Sequence, residues 1–528
     1  MGQQAASILT VQQYLDEPPR PQAVRGRSTK TPTQRLIFFL ASAGKLFEGL
    51  VIFMIGMALP LITEDFALSS AEAGLVTATS LVGILLGALF LGHLSDELGR
   101  RKMFIAEMVL FTIFLAGFTI SPSLPVLLAC LLGMGMALGC DYPTAHLMLS
   151  ETMPTSSRSR TVLGAFAFQA VGAVVGAALA VGVLSMPTAS VSSWRVMFGL
   201  VVLPAALVTA GRFFTPQSPH WLLTRGRVTE AEDALARILQ VRGEKSAGVR
   251  LDALPASQRV SESYADLFRH DGSLRATILA SAPWFLQDLS TYGIGIFTPV
   301  IIATALSDPF AEAADAQDSV SGVVRDSLVG AQGAVMIDLF LVVGILVAIH
   351  FVDRLGSIRM QIVGFVGCAA GLGIAAASEI FPSATMQTVL IFAGFITFQF
   401  MTNAGPNAQT YLIAGEVFPT SVRGTGAGFA AASGKVGAAI TAFLFPTLLD
   451  GFGQTPILIG LMVCSLAGAA VTSRFRIDTT GKNLEVVHEV GQALPLTVEP
   501  ACSRDPSCPP PMGVPPSSWP SDPRWSLG

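Results

Sequence analysis

Ionisable side chains inside the long apolar stretches of this 528-residue chain include Lys45, Glu48, Glu107, Asp141, Asp288, Asp338 and Lys435. An ionised group at mid-bilayer costs about 2.5–3.5 kcal/mol on insertion scales, so each is a functional candidate by default. Trp284 and Tyr292 flank Asp288 four residues to either side, which makes one stripe on a helix. Asn403, Asn407 and Tyr411 repeat that spacing. A carboxyl group in such a stripe can hold a proton and release it when its surroundings open to the other side. Tryptophan, tyrosine, asparagine and glutamine can donate hydrogen bonds to an oxyanion, and Lys435 can supply compensating positive charge. Polar membrane residues also serve simply to bridge helices. That reading is the favoured one for Glu107 and Asp338, and His146 reads as a packing or rim residue. Lys45, three residues before Glu48, can be its ion-pair partner without touching any solute.

The elements that must position these groups are membrane helices. Hydrophobic residues make up 51% of the chain and charged ones 13%, about half the usual charged share of a soluble domain. A membrane span needs about 20 apolar residues. Such segments fall at about 36–63, 73–94, 103–120, 125–149, 161–185 and 194–214, then at 274–305, 329–352, 360–380, 386–413, 424–449 and 455–474. The expected fold is therefore an all-α polytopic membrane protein of twelve transmembrane helices in two six-helix pseudo-repeats. Its expected parts are a disordered cytoplasmic N-terminus (1–35), an N-terminal bundle (36–214), a cytoplasmic central loop (215–273), a C-terminal bundle with a short extension (274–485) and a disordered tail (486–528), rich in Pro and Ser. The central loop holds an amphipathic stretch at 229–240 that reads as a helix on the membrane surface.

Arginine and lysine concentrate in the loops after segments 2, 4, 6, 8 and 10, which puts both termini in the cytoplasm of a multi-pass plasma-membrane protein, the inner membrane if bacterial. No cleavable signal peptide is recognisable. The six cysteines show no metal-ligand spacing and no disulfide framework. Two polar motifs occur twice. Asp96-Glu-Leu-Gly99-Arg-Arg-Lys102 after segment 2 parallels Asp353-Arg-Leu-Gly356-Ser-Ile-Arg359 after segment 8. Glu151-Thr-Met-Pro-Thr-Ser-Ser-Arg158 parallels Glu416-Val-Phe-Pro-Thr-Ser-Val-Arg423. A parallel duplication suits a midplane cavity between two related bundles. Asp96 with Arg100 and Arg101 can pair to hold the bundles together, and Glu151, Arg158, Asp353, Glu416 and Arg423 extend the same charged gating network. Anchoring of loops by positive charge is the plainer alternative.

The stretch from Gly92 to Lys102 resembles the signature loop of the major facilitator superfamily. Pro216-Gln-Ser-Pro219-His-Trp221, Gly415-Glu416-Val-Phe-Pro419 and Thr480-Gly481-Lys482 resemble motifs of its sugar-porter-like branch, with Gln217 where Glu is usual. Four further motifs are similar to the phosphate:proton symporter family: Cys140-Asp141-Tyr142-Pro143, Trp284 to Tyr292, Gly405-Pro406-Asn407 and Ala432-Ser433-Gly434-Lys435. The resemblance implies proton coupling by Asp288, Glu48 and Asp141. It implies substrate binding by Tyr142, Gln169, Trp284, Asp288, Tyr292 and Asn407, and Lys435 joins that set as a candidate cation. Helix 1 departs from the pattern: Val51 stands where a second acid is usual, and Lys45 is unexpected.

The expected function is proton-coupled symport of a small anion such as phosphate or an organic acid. The alternatives are a sugar or other neutral metabolite symporter, or a non-transporting receptor on the same fold. No nucleotide-binding loop, metal triad or nucleophile elbow is present, so an enzyme is not expected. The expected partners are a small solute, protons and the lipid bilayer, without cofactor, metal or nucleic acid, and the chain is expected to work as a monomer.

Overall fold

A computed structural model describes residues 10–16, 30–154, 158–239, 251, 266–269, 271–307, 320–418 and 423–477. Among them are twelve helices long and apolar enough to cross a membrane, and no strand. They are α1 (Pro32–Phe66), α2 (Ser70–Leu91), α3 (Arg100–Thr119), α4 (Leu124–Ser150), α5 (Arg160–Leu184), α6 (Ser193–Arg212), α7 (Leu274–Thr304), α8 (Gly322–Leu355), α9 (Ser357–Ile380), α10 (Ala384–Glu416), α11 (Thr425–Phe452) and α12 (Gln454–Phe475). A helix is the form that satisfies every backbone polar group within one segment, which an apolar solvent requires. Large apolar residues such as Ile113, Leu203 and Val363 point outward and are exposed, as a lipid-facing surface demands.

Local chemistry sets the boundaries. Thr31 and Gln34 form a reciprocal capping box that starts α1, and Ser69 and Glu72 do the same for α2. α10 is interrupted at Gly405-Pro406, where proline brings no N–H, so it runs as Ala384–Ala404 and Pro406–Glu416. After α2 a short helix, Gly92–Leu98, leads to Gly99 at φ 100, and α8 leads to Gly356 at φ 81. The duplicated loop motif thus keeps its glycine because the chain turns there through a region that side chains with a Cβ rarely enter.

Packing repeats with the sequence. In the first half α1 lies against α5, α2 against α4 and α3 against α6; in the second, α7 lies against α11, α8 against α10 and α9 against α12. The bundles meet through α1 with α7, α2 with α11 and α5 with α8. Backbones approach closely at α1–α5, where Gly49 faces the carbonyl of Gln169 and Gly172 that of Leu46.

Two expectations change. Within the N-terminal 35 residues expected to be disordered, Val11–Asp16 is helical, and Val11, Tyr14 and Leu15 are buried. Their i, i+3, i+4 spacing gives that turn one apolar face. The amphipathic stretch is indeed a helix, Val228–Leu239. However, its apolar residues Ala231, Leu235 and Ile238 join a cluster with Ile37, Met148 and Leu222 instead of a lipid surface. The tail from 486 onward and the Thr480-Gly481-Lys482 motif lie outside the described residues.

Candidate substrate and proton site

The α1–α7 contact at the bundle interface brings two lysine–carboxylate pairs together. On α1, Lys45 Nζ lies 2.9 Å from Glu48 Oε2. Across the interface, Lys435 Nζ of α11 lies 3.0 Å from Asp288 Oδ2 of α7. All four side chains are at least 95% buried. A buried ion pair persists only when further hydrogen bonds satisfy its remaining atoms, and here they do. The other oxygen of Glu48, Oε1, accepts from Tyr142 Oη at 2.5 Å, from Gln169 Nε2 at 3.1 Å and from Tyr292 Oη at 3.4 Å. Lys435 also donates to Tyr292 Oη at 2.6 Å, and Trp284 stands one helical turn before Asp288 on α7. Lys45 Nζ sits 2.9 Å from the centre of the Tyr142 ring, and Lys435 Nζ lies 5.4 Å from it. Tyr142 and Tyr292 therefore tie the two pairs into one network.

A small cavity adjoins this network and is lined in part by Gln169, Thr291, Tyr292, Asn403 and Asn407. Asn407 donates to Asn403 Oδ1 at 2.6 Å and accepts from Gln287 at 3.2 Å. The stripe on α10 thus faces the stripe on α7. Of the residues read from the sequence, Glu48, Tyr142, Gln169, Trp284, Asp288, Tyr292, Asn407 and Lys435 converge here. Lys45 takes the place of ion-pair partner.

Asp141 does not converge here. Adjacent helical residues point about 100° apart, so while Tyr142 faces Glu48, Asp141 turns into the N-terminal bundle. There it accepts from Arg212 Nη2 at 2.8 Å, and Arg212 Nη1 also reaches Glu107 at 2.5 Å. Arg212 is fully buried. It was not among the sequence candidates because it ends α6 next to a basic loop, where arginine ordinarily anchors a span. The two phenylalanines that follow, Phe213 and Phe214, were the signal that the apolar run continues past it.

The bundles touch toward both ends of the interface. Toward the face where the described chain begins and ends, Tyr411 stacks on Phe166 (centroids 5.1 Å apart) and lies 3.0 Å from His146 Nδ1. His146 therefore meets the other bundle, as a rim residue. Asp353 pairs with Arg160 at 2.5 Å across the same end. Toward the opposite face, Thr77 donates to the carbonyl of Ala442 at 2.8 Å, and Ser70 hydrogen-bonds to Asp450.

Of the charged residues expected to form a gating network, Asp353 pairs across the interface with Arg160, and Arg100, Arg101 and Glu151 make other contacts. Arg101 donates to the carbonyls of Thr215 and Phe213 at 2.7 Å each, and its backbone N–H donates to Gln217 at 2.8 Å. Arg100 reaches Ser95 at 3.3 Å and Glu151 at 3.7 Å, and Glu151 accepts from Ser218. These contacts lie within the first half of the chain: Gln217 lies against the Gly99 turn, and Ser218 reaches Glu151. The side chains of Asp96, Arg158 and Arg423 lie outside the described residues. Glu416 lies at the end of α10 and is half-buried.

Residues 37–490 match the family described as sugar (and other) transporter. The chain belongs to that family. It is 28% identical over 434 residues to the galactose-proton symporter of Escherichia coli strain K12, covering 81% of this chain and 88% of the relative. It is 27% identical over 453 residues to a probable inorganic phosphate transporter of Oryza sativa subsp. japonica, covering 78% and 82%. Its fold matches the partially occluded, inward-open xylose transporter XylE of E. coli with a TM-score of 0.67 at 19% identity, over 86% of this chain and all of that one. This multi-pass membrane chain is a transporter of the major facilitator fold, not an enzyme.

Proposed function

We propose that the chain is a proton-coupled symporter of a small anion, such as phosphate or an organic acid, working in the plasma membrane with both termini cytoplasmic. The supporting observation is the environment of Glu48. Its carboxylate is held by a lysine, two tyrosines and a glutamine, drawn from both halves of the molecule. These are the donors an anionic solute would need, and in this structure a tethered carboxylate occupies them. A solute anion takes that place when Glu48 accepts a proton and withdraws. A low-dielectric site resists net charge, so each negative charge that enters brings one proton, to Glu48 first and to Asp288 for a second charge. Rocking of the bundles then exposes the loaded site on the other side. The relative named for phosphate supports the anion, and the one named for galactose and protons supports the coupling. Asp353 with Arg160, and Tyr411 with His146 and Phe166, would separate when the site opens toward the cytoplasm.

The test is uptake into proteoliposomes under an imposed pH gradient, with phosphate, organic acids and sugars competing against each labelled solute. Gradient-dependent uptake inhibited by anions is the expected result. Inhibition by sugars alone would end the anion reading and leave a sugar symporter.

A further inference from the structure

We propose that the solute of this transporter is a small organic monocarboxylate with an apolar body, and that the cavity beside Glu48 receives that body. This deepens the anion–proton reading and rests on it. Gln169 and Tyr292 belong to both the charged network and the cavity. Gln169 Nε2 and Tyr292 Oη lie 3.1 and 3.4 Å from Glu48 Oε1, to which they donate, and both residues line the cavity. A solute carboxylate that replaces the Glu48 carboxylate on these donors therefore has the cavity beside it for the rest of the molecule.

The walls set the chemistry of that remainder. Phe53 of α1, Ala170 of α5 and Leu341 of α8 form an apolar part of the wall, and all three are buried. No described residue lining the cavity is charged; the two lysines stand at Glu48 and Asp288 instead. Phosphate carries oxygens on every side, and those turned toward Phe53 and Leu341 would lose water without gaining a donor. A molecule charged at one end only meets donors at that end and places carbon against carbon elsewhere.

The polar part of the wall is largely satisfied within the protein. Asn403 Nδ2 donates to the carbonyl of Leu341 at 3.0 Å, and Asn403 Oδ1 accepts from Asn407 at 2.6 Å. Asn407 Oδ1 accepts from Gln287 at 3.2 Å. Thr291 Oγ1 accepts from the same Gln287 amide at 2.9 Å and lies 3.0 Å from Thr402 Oγ1. Each side-chain amide nitrogen has a second hydrogen, which serves one carboxylate but not a ring of hydroxyls. A sugar would have to break these bonds to pair its hydroxyls, and would still face the apolar wall.

The test is titration calorimetry on the wild-type protein in lipid nanodiscs, in weakly acid buffer, with acetate, benzoate, hexanoate, phosphate and galactose. Benzoate or hexanoate should bind about tenfold or more tighter than acetate, because buried carbon adds to affinity. Neither phosphate nor galactose should displace the tighter of the two. The proposal is overturned if neither acid binds more tightly than acetate. Displacement by phosphate, or binding of phosphate alone, also overturns it and leaves the anion reading standing. Binding of galactose alone ends both. Leu341→Ala places the body independently. It widens the apolar wall, so 2-naphthoate should gain on benzoate by about tenfold relative to the wild type. Both affinities come from the same preparation, so any loss of folded protein cancels in their ratio. An unchanged ratio in folded Leu341→Ala overturns the placement of the body in this cavity.

Discussion

Glu48→Gln is the substitution that most directly probes how charge is handled in the central site. Glutamine fills the same space and still accepts from Tyr142 and Gln169, which lie 2.5 and 3.1 Å from Oε1 in the native protein. It cannot neutralise Lys45, whose Nζ is 2.9 Å from the native carboxylate in a site almost closed to solvent. Removing one partner of a buried pair costs about 3–5 kcal/mol, so the empty variant should melt well below the wild type. An anion entering the site restores neutrality and returns much of that stability. On the proposed coupling, wild-type binding takes up one proton per negative charge, so its apparent affinity should fall about tenfold, or about 1.36 kcal/mol, for each pH unit of proton depletion. The sign follows from proton uptake on binding: affinity is lost as pH rises. The variant takes up no proton at this position, so its affinity for a monoanion should be nearly independent of pH. Calorimetric titration with monocarboxylates, which stay monoanionic from weakly acid to weakly alkaline buffer, reads this slope. In proteoliposomes the variant should exchange anion for anion but not accumulate it. A variant that keeps the wild-type slope would show that Glu48 is not the proton acceptor.

Asp288→Asn strands Lys435 in the same way, and gradient-driven accumulation should be abolished; accumulation equal to wild type would exclude Asp288 from coupling. Tyr292→Phe removes the hydroxyl that bridges Lys435 and Glu48, and Asn407→Ala removes a donor beside the cavity. Each should weaken anion binding by roughly tenfold or more, as loss of a hydrogen bond to a charged group costs about 1.5–3 kcal/mol, read by the same titration. Arg160→Gln breaks an exposed pair with Asp353, worth about 0.2–1 kcal/mol, so turnover should change by a few-fold at most with affinity unaltered. Gly99→Ala forces a Cβ onto a residue at φ 100 against Gln217, and a strain of about 1–3 kcal/mol should lower the melting temperature in detergent.

The twelve spans were legible because apolar length is a strong signal, and the polar interruptions were legible because a bilayer makes them costly. Asp288, Tyr292 and Lys435 stood out on that ground alone. The residues that escaped were those whose sequence context had an ordinary explanation. Arg212 looked like an anchor at the end of a span, yet it is the cation that turns Asp141 away from the central site. Arg101 and Gln217 looked like parts of a gate and a motif variant; in three dimensions the backbone of one is capped by the side chain of the other. Val11, Tyr14 and Leu15 sit in a polar, proline-containing stretch too short to show periodicity, so only packing reveals their buried face. A linear reading places a residue at a depth; it does not say which neighbour shares that depth on the facing helix.

The two halves of the central site show how far the duplication governs its chemistry. α1 packs on α5 as α7 packs on α11, and in each case the second helix sends a donor to the acid of the first. Gln169 of α5 reaches Glu48 of α1, and Lys435 of α11 reaches Asp288 of α7. The positions correspond but the charges do not. Lys435 neutralises its acid outright. Gln169 cannot, and a carboxylate buried with neutral donors alone would stay costly. The missing charge comes from α1 itself, one turn away, as Lys45. The unexpected lysine of helix 1 is therefore explained by the neutral side chain on α5, and the pair should be exchangeable. Lys45→Gln alone should leave Glu48 without a cation, and adding Gln169→Lys should restore one from the position that Lys435 occupies in the other half. Recovery of thermal stability and anion binding in the double variant, but not in either single one, would establish that the site requires the charge and not the particular residue. Independent, additive losses would show that Lys45 has a role beyond neutralising Glu48.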